Sequence, residues 1–345
     1  MQDVEQMPDK LAAFLTGRDG VRTARVIGYE TMVGGYSRLM ARADVEWSDG
    51  TRDSLVLRGD PPPGRALIET SRDAEYALLR SLTDAATIAM PAVRHYDPTG
   101  EDLGTKCIVL DFVDGTSLQS LLHATPSDEH ARHAADLVDT LARIHSLDTD
   151  AVAAVLPVPT DWNEYLGGLI DRFRQADAAH VESVPFLRFV AAWLDAHRPP
   201  PLPLRVVHSD FQPANIMVTR NGEHLMIDWE LTHIGDPRED LGYYNVYSSA
   251  LGPNLFTIDP EGFLARYRER TGFSEAAVNM STMAYFSSLA AITVYAQILA
   301  GLGAMATGNN SGLMTTYNMN ALSIGHTNFL AGCIATTAQR TAETV

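Results

Sequence analysis

Three polar side chains stand at the ends of apolar runs in the second half of the chain. In VVHSDFQPANIMV (Val206–Val218), Asp210 lies two positions after His208 and Asn215 five after Asp210; ten residues past Val218, Asp228 closes the apolar run of LMIDWE. An aspartate that can orient and deprotonate a hydroxyl, with oxygen ligands for Mg²⁺, is what phosphoryl transfer asks of a protein, because catalysis there is positioning and charge neutralisation. The spacing H-x-D-x-x-x-x-N matches the kinase pattern in which the aspartate is the base and the asparagine a metal ligand. Asp228, after a strand and turn, stands where a second metal carboxylate belongs, and Mg²⁺ needs only a few such ligands because it keeps waters. Asp and Asn also favour turns and strand ends on their own account. Either motif alone is as well explained that way; the two in order, with a short hairpin between them, are not.

Chemistry of this kind requires upstream partners: a glycine-bearing hairpin over the phosphates, a cation on the third strand, and a helix acid to hold that cation. VGGYSR supplies Gly34, Gly35 and Ser37, whose backbone and hydroxyl could approach phosphate oxygens. LVLRG places Arg58 on a strand, and DAEYALLR places Glu75 on the helix that follows. A glycine pair by itself is more often a plain turn; its position ahead of Arg58 and Glu75 gives it weight.

The elements that must position these groups are legible in outline. The first third reads as short β-type runs, with Ser48–Gly50 as a hairpin turn, DSLVLRG as the returning strand and Pro61–Gly64 ending it. SRDAEYALLRSLTDA has Ala74, Ala77, Leu78 and Leu82 at helical spacing, and TKCIVLDFVDG reads as a strand running into a linker. Beyond it the pattern turns helical: DEHARHAADLVDTLARIHSLD with Ser127-Asp128 as its cap, then DWNEYLGGLIDRFRQA, then FLRFVAAWLDAHRPPP stopped by its prolines. A boundary near residue 113 separates a β-rich lobe, 1–113, from a mostly helical lobe, 114–345.

Composition limits the partners. The 345 residues carry a net charge of −17, which argues against a nucleic-acid binder needing basic surface. Cys107 and Cys333 lie far apart in apolar segments with no C-x-x-C pair, so neither a disulfide framework nor a zinc site is suggested. MQDVEQMPDK lacks the basic and apolar regions of a signal peptide, and a cytoplasmic protein is expected. Ala284–Ala306 is uncharged and long enough to span a bilayer, but its Ala, Ser, Thr and Gly content, its Gln297 and its lack of a basic flank favour a buried helix.

The string GGYSR…LVLRGDPPPG…DAEYALLRSL…IVLDFVDGTSL…LARIHSLD…VVHSDFQPANIMV…LMIDWELTHIGDPREDLGYY, from about Val33 to Tyr244, resembles the aminoglycoside phosphotransferase-like family of small-molecule kinases. It is particularly similar to the branch that includes the kinase domains of the acyl-CoA dehydrogenase 10/11 type. The resemblance implies an α+β, two-lobed protein-kinase-like fold, ATP (or GTP) with Mg²⁺, and transfer of the γ-phosphoryl group to a small-molecule hydroxyl. It implies Asp210 as catalytic base, Asn215 and Asp228 as metal ligands, Arg58 with Glu75 on the phosphates, and Asp111, Phe112 and Val113 as a hinge offering backbone groups to the base. Asp236 and Asp240 take structural roles, Asp240 bracing the catalytic loop through backbone N–H groups, and His208 positions the same loop. Ser209 stands where protein kinases have arginine and Trp229-Glu230 where they have Phe-Gly, both of which favour a small-molecule kinase; Arg58 replaces a lysine with a rigid fork.

For the acceptor, Ala276–Gln339 contains no Asp, Glu, Lys or Arg, but has Met280, Met283, Met305, Met314 and Met319 and the amide-rich TGNNSG. Such a surface suits a neutral or apolar molecule, although any one of these methionines is more readily core filling. Asp161, Glu164 and Asp171 remain a source of acid for a cationic acceptor. The branch resemblance suggests a hydroxyacyl-CoA thioester, for which Arg65, Arg72, Arg172 and Arg174 are available. An antibiotic kinase acting on an aminoglycoside or macrolide is the alternative within the same chemistry, and a nucleotide-binding pseudokinase the alternative outside it.

Overall fold

The computed structural model describes residues 2–32, 40–60, 70–85, 88–178 and 185–306. Among these the chain divides into two compact units, one holding the residues up to Gly115 together with Leu225–Glu230, the other Thr116–His224 and the residues from Leu231 on.

The first unit is built on a five-stranded antiparallel sheet of β1 (Ala24–Thr31), β2 (Met40–Trp47), β3 (Arg52–Gly59), β4 (Val93–Asp97) and β5 (Cys107–Asp111), in the order β1-β2-β3-β5-β4. Strict alternation along β2 buries Ala41, Ala43, Val45 and Trp47 on one face. Ser48–Thr51 forms the expected hairpin turn, closed by bonds between Trp47 and Thr51 and by Gly50 at positive φ. An 18-residue helix, α1 (Gln2–Asp19), covers this face with Met7, Leu11, Phe14 and Leu15. That helix is not among the elements read from the sequence of the N-terminal third, although its buried residues recur at intervals of three and four. Helix α2 (Arg72–Ala85) buries Leu78, Leu79 and Leu82. Cys107 is buried in the sheet, and burial pushes its thiol up to about 12, so it is an inert core residue.

The second unit is mostly helical: α3 (Leu118–Ala124), α4 (His130–His145), α5 (Trp162–Ala178), α6 (Pro185–Ala196), α7 (Arg238–Leu251), α8 (Pro260–Thr271) and α9 (Met280–Ala306). Its core joins Trp162, Leu166, Ile170 and Phe173 of α5 to Val190 and Leu194 of α6 and to Tyr285, Phe286, Leu289 and Ile292 of α9. Helix α4 starts two residues later than a cap at Ser127 suggests, because Ser127–Glu129 tightens into a 3₁₀ turn and no side chain caps the helix. No described helix is long and apolar enough to cross a membrane. Short strands carry the polar loops. β7 (Arg205–Val207) pairs antiparallel with β10 (His233–Gly235), setting His233 opposite Val207, while β6 (Gly115–Ser117), β8 (Ile216–Thr219) and β9 (His224–Met226) form a three-stranded sheet.

Helices α7 and α9 touch closely at Gly242, where an added Cβ would lie 2.2 Å from the Phe286 carbonyl carbon and 2.3 Å from its oxygen. Both are backbone atoms of a packed helix and cannot swing aside. By helix propensity alone Gly242→Ala would stabilise by ~1 kcal/mol; overpacking reverses the sign, and urea unfolding should show a net loss of about 1–3 kcal/mol.

Candidate active site

The loop after β7 is held by a single buried carboxylate. Asp240, in the first turn of α7 and fully buried, accepts the backbone N–H of His208 through Oδ2 and that of Ser209 through Oδ1, both at 2.8 Å. His145 of α4 meets Oδ2 at 3.1 Å through Nε2, and its other nitrogen contacts the Tyr267 hydroxyl at 2.6 Å. Burial works against the charge on Asp240, but the His145 contact and the His208 side chain and backbone outweigh it and hold the carboxyl below its usual range. The brace expected of Asp240 is therefore present in full. Asp236 closes the neighbouring turn, accepting from the Trp162 indole at 2.7 Å and taking the Arg238 guanidinium on both oxygens.

Within the loop so braced, Ser209 adopts φ +67°. That left-handed conformation costs a non-glycine residue and persists only where surroundings enforce it. Here the two Asp240 bonds enforce it from the backbone, and the His233 ring meets Ser209 Oγ at 2.8 Å. The turn delivers Asp210 into a cage of donors. Its Oδ1 accepts from Tyr243 Oη at 2.6 Å and Gln212 Nε2 at 2.7 Å, and its Oδ2 from Asn215 Nδ2 at 2.6 Å. Asn215 also donates to the Asp210 carbonyl at 3.0 Å. With its amide nitrogen turned to Asp210, the asparagine is left with Oδ1 as the atom that can face a cation, as a Mg²⁺ ligand must.

Neither Tyr243 nor Gln212 was expected from the sequence. Tyr243 sits three residues past Asp240, on the same face of α7, so the helix that braces the loop also supplies a donor to its carboxylate.

In the first unit, Arg58 gathers the predicted groups differently from a simple phosphate clamp. Its Nε lies 2.9 Å from Glu75 Oε1, and Nη2 contacts both Asp228 Oδ1 and, at 2.8 Å, Glu230 Oε2. Arg72 binds Glu75 and, at 3.1 Å, Asp60. Burial disfavours the charge on Arg58, yet Asp228 and Glu75 raise its pKa above the ordinary value. Two guanidinium groups face four carboxylates here, a formal charge of −2, which a divalent cation would offset; the donor set therefore fits Mg²⁺. Asp228, like Ser209, has φ +67°, and these are the non-glycine residues with positive φ among those described. The side chain of Arg72 is fully buried, which corrects its assignment as a free cation for an acidic acceptor. Arg174 is likewise engaged, with Asp171 and Asp195.

Asp111, Phe112 and Val113 lie at the end of β5 and just beyond it. The N–H of Asp111 donates to the Ala92 carbonyl and that of Phe112 to the Ser54 carbonyl, both at 2.9 Å, so both N–H groups are engaged within the sheet. The Asp111 side chain pairs with Arg94, and Arg42 stacks over the Phe112 ring. Val113 follows in the linker. Gly34, Gly35 and Ser37 lie outside the described residues, as do Arg65, Met314, Met319 and TGNNSG.

His233 links the loop to a second acid. Its Nε2 lies 2.7 Å from Tyr165 Oη, whose own proton goes to Glu239 Oε1 at 2.7 Å. Burial disfavours the imidazolium, but the Glu239 carboxylate and the Leu231 carbonyl raise its pKa above 6.5. A value raised in the folded state means that protonated His233 supports the fold fully below pH 6.5, and that this support fades as pH rises through the folded value. An NMR titration should place His233 above 6.5 in the native chain, and in Glu239→Gln the midpoint should fall, because burial then acts with less opposition.

Residues 41–278 match the model of a family described as "Phosphotransferase enzyme family". Over 194 residues the chain is 27% identical to mouse acyl-CoA dehydrogenase family member 10, a match covering 55% of this chain but only 18% of that protein. The chain thus spans a small part of the length of that relative. Among solved structures, a putative aminoglycoside phosphotransferase from Ralstonia eutropha JMP134 superposes with a TM-score of 0.71 at 17% identity, covering 94% of this chain and 97% of that one. The GDP complex of aminoglycoside 2'-phosphotransferase-IIIa superposes with a TM-score of 0.65 at 15% identity, covering 93% and 99%. These likenesses carry the fold, and the family match carries more: the chain belongs to the phosphotransferase enzyme family, built on a protein-kinase-like fold of β-sheet followed by helices.

Proposed function

We propose that this chain moves the γ-phosphoryl group of ATP, or of GTP, to the hydroxyl of a small neutral or acyl-type molecule, with hydroxyacyl-CoA thioesters as the first class to try. The observation that carries the reading is the Asp210 carboxylate, held by three donors on a loop that Asp240 braces. So held, Asp210 accepts the acceptor hydroxyl's hydrogen bond and then its proton as the oxygen bonds to the γ-phosphorus. The bond from that phosphorus to its bridging oxygen breaks and the nucleoside diphosphate leaves. Mg²⁺, when bound, supplies the positive charge that offsets the phosphates; Asn215 Oδ1 and the Asp228 carboxylate are its proposed ligands. Arg58, with Glu75 holding its far side, is the proposed cation for the phosphates, and Asp111–Val113 the backbone edge for the base. Gly34, Gly35 and Ser37 are the proposed phosphate-covering hairpin. A cytoplasmic setting, with ATP and Mg²⁺ at hand, fits this chemistry.

A neutral acceptor is supported by the lack of any Asp, Glu, Lys or Arg from Ala276 to Gln339. Asp171 is paired with Arg174, and Asp161 accepts the Glu164 backbone N–H, which further reduces the carboxylates on offer to a polycation. One observation favours a second reading, a module that binds nucleotide without turnover: Arg58 is already engaged by three carboxylates, and phosphates would have to displace some of them.

The test is acceptor-dependent release of ADP or GDP across hydroxyacyl-CoA thioesters, lipophilic alcohols, macrolides and aminoglycosides, with products identified by mass spectrometry. Turnover should appear with a thioester or alcohol and fall by about 10²–10⁴ in Asp210→Asn. Tyr243→Phe removes one of the donors on Oδ1 and should lower kcat by roughly tenfold with little change in the nucleotide KM. Turnover on aminoglycosides alone would refute the neutral-acceptor reading, and tight nucleotide binding with no turnover on any member would favour the second one.

A further inference from the structure

A cluster away from the Asp210 loop has the composition of a metal centre. His133 and Asp136 stand three residues apart on one face of α4, and His224 opens β9 after the tight turn in which Gly222 takes φ +81°. One ligand atom from each of the three lies within 4.8 Å of the other two, and the two imidazole rings stack with centroids 6.3 Å apart.

A second observation comes from hydrogen bonding. His224 is 6% exposed and His133 9%. Neither ring nitrogen of His224, nor Nδ1 of His133, has a hydrogen-bond partner among the described residues. Two nine-tenths buried imidazoles with three unpaired nitrogens are unusual, because a buried polar atom is nearly always paired. His224 also lines a cavity of about 500 Å³, shared with Asp136, Asp139, Glu223, Arg143 and Arg270, through which an ion could reach it. Of the two arginines, Arg270 is held by Asp139, and Arg143 bonds to the Asp139 carbonyl and the Thr140 hydroxyl.

We propose that His133, Asp136 and His224 bind a divalent transition metal of the zinc type, tying α4 to the start of β9. Two imidazole nitrogens and one carboxylate are a donor set for Zn²⁺, Co²⁺ or Ni²⁺, with a fourth position for water. Mg²⁺ and Ca²⁺, which seek oxygen, are poorly served. A metal must find its histidines neutral, and burial pushes both His133 and His224 below 6.5. The side chain of Asp136 is 43% exposed and its nearest partner, Arg132, is 3.9 Å away, so it can turn to an ion at little cost. The centre is distinct from the Mg²⁺ expected at Asn215 and Asp228 in both ligand chemistry and residues, and does not depend on the kinase reading.

The test uses the full chain without a histidine tag, stripped with chelator and dialysed against Zn²⁺. Elemental analysis should find one zinc per chain, Tm should rise with Zn²⁺ but not with Mg²⁺, and Co²⁺ should give the visible absorption of a tetrahedral nitrogen–oxygen site. His224→Gln should lose the metal and the Tm shift. Asp136→Asn, at a half-exposed helix position that leaves the core untouched, should keep its circular dichroism and lower metal affinity at least tenfold. Absence of retained zinc from the native chain would overturn the proposal, as would zinc retained equally by both variants.

Discussion

The Asp240 carboxylate is the constraint on which the loop after β7 depends. A buried charge is tolerated only where donors surround it, and here the donors are two successive backbone N–H groups and a histidine. Because both N–H groups belong to the residues just before Asp210, satisfying Asp240 dictates the direction in which the chain leaves β7. The left-handed Ser209 follows from it, and so does the aim of Asp210. Tyr243, one turn along α7 from Asp240, then donates to Asp210, so one helix start both fixes the loop and supplies a donor to its carboxylate.

The first unit solves the opposite electrostatic problem. Arg58 is almost wholly buried, and with Arg72 it faces four carboxylates, so the cluster is more negative than neutrality requires. Asp228 is held there at a costly positive φ, within reach of other carboxylates. Arginine's fork lets one side chain hold Glu75, Asp228 and Glu230 together, which the single ammonium of a lysine would do less rigidly.

Much of the architecture was legible because periodicity is a local property. The hairpin at Ser48–Gly50, α2, α5, α6 and the strand at Cys107–Asp111 all follow from spacing and punctuation. Two local readings went differently. The Ser127-Asp128 signal resolved into a 3₁₀ turn before α4, a choice of hydrogen-bond register that a cap motif does not set. The opening helix α1 was overlooked although Met7, Leu11, Phe14 and Leu15 mark its buried face. The membrane-length segment became part of α9, packed on α5, α6 and α7, as its small residues allow.

Sequence alone determined the identity and order of the candidate groups Asp210, Asn215 and Asp228, since type and spacing mark them out and the chemistry open to each is intrinsic to its side chain. It also determined the Arg58–Glu75 pair, because a strand cation and a first-turn helix acid are local features. Only the tertiary structure decided the company these groups keep. Tyr243 on Asp210, the Ser209–His233–Tyr165–Glu239 chain, the burial of Arg72 and the meeting of His133 with His224 all join residues from separate elements. Such contacts depend on strand register and helix packing, which are set by the sum of many burials across the core and leave no mark on the spacing of any one segment.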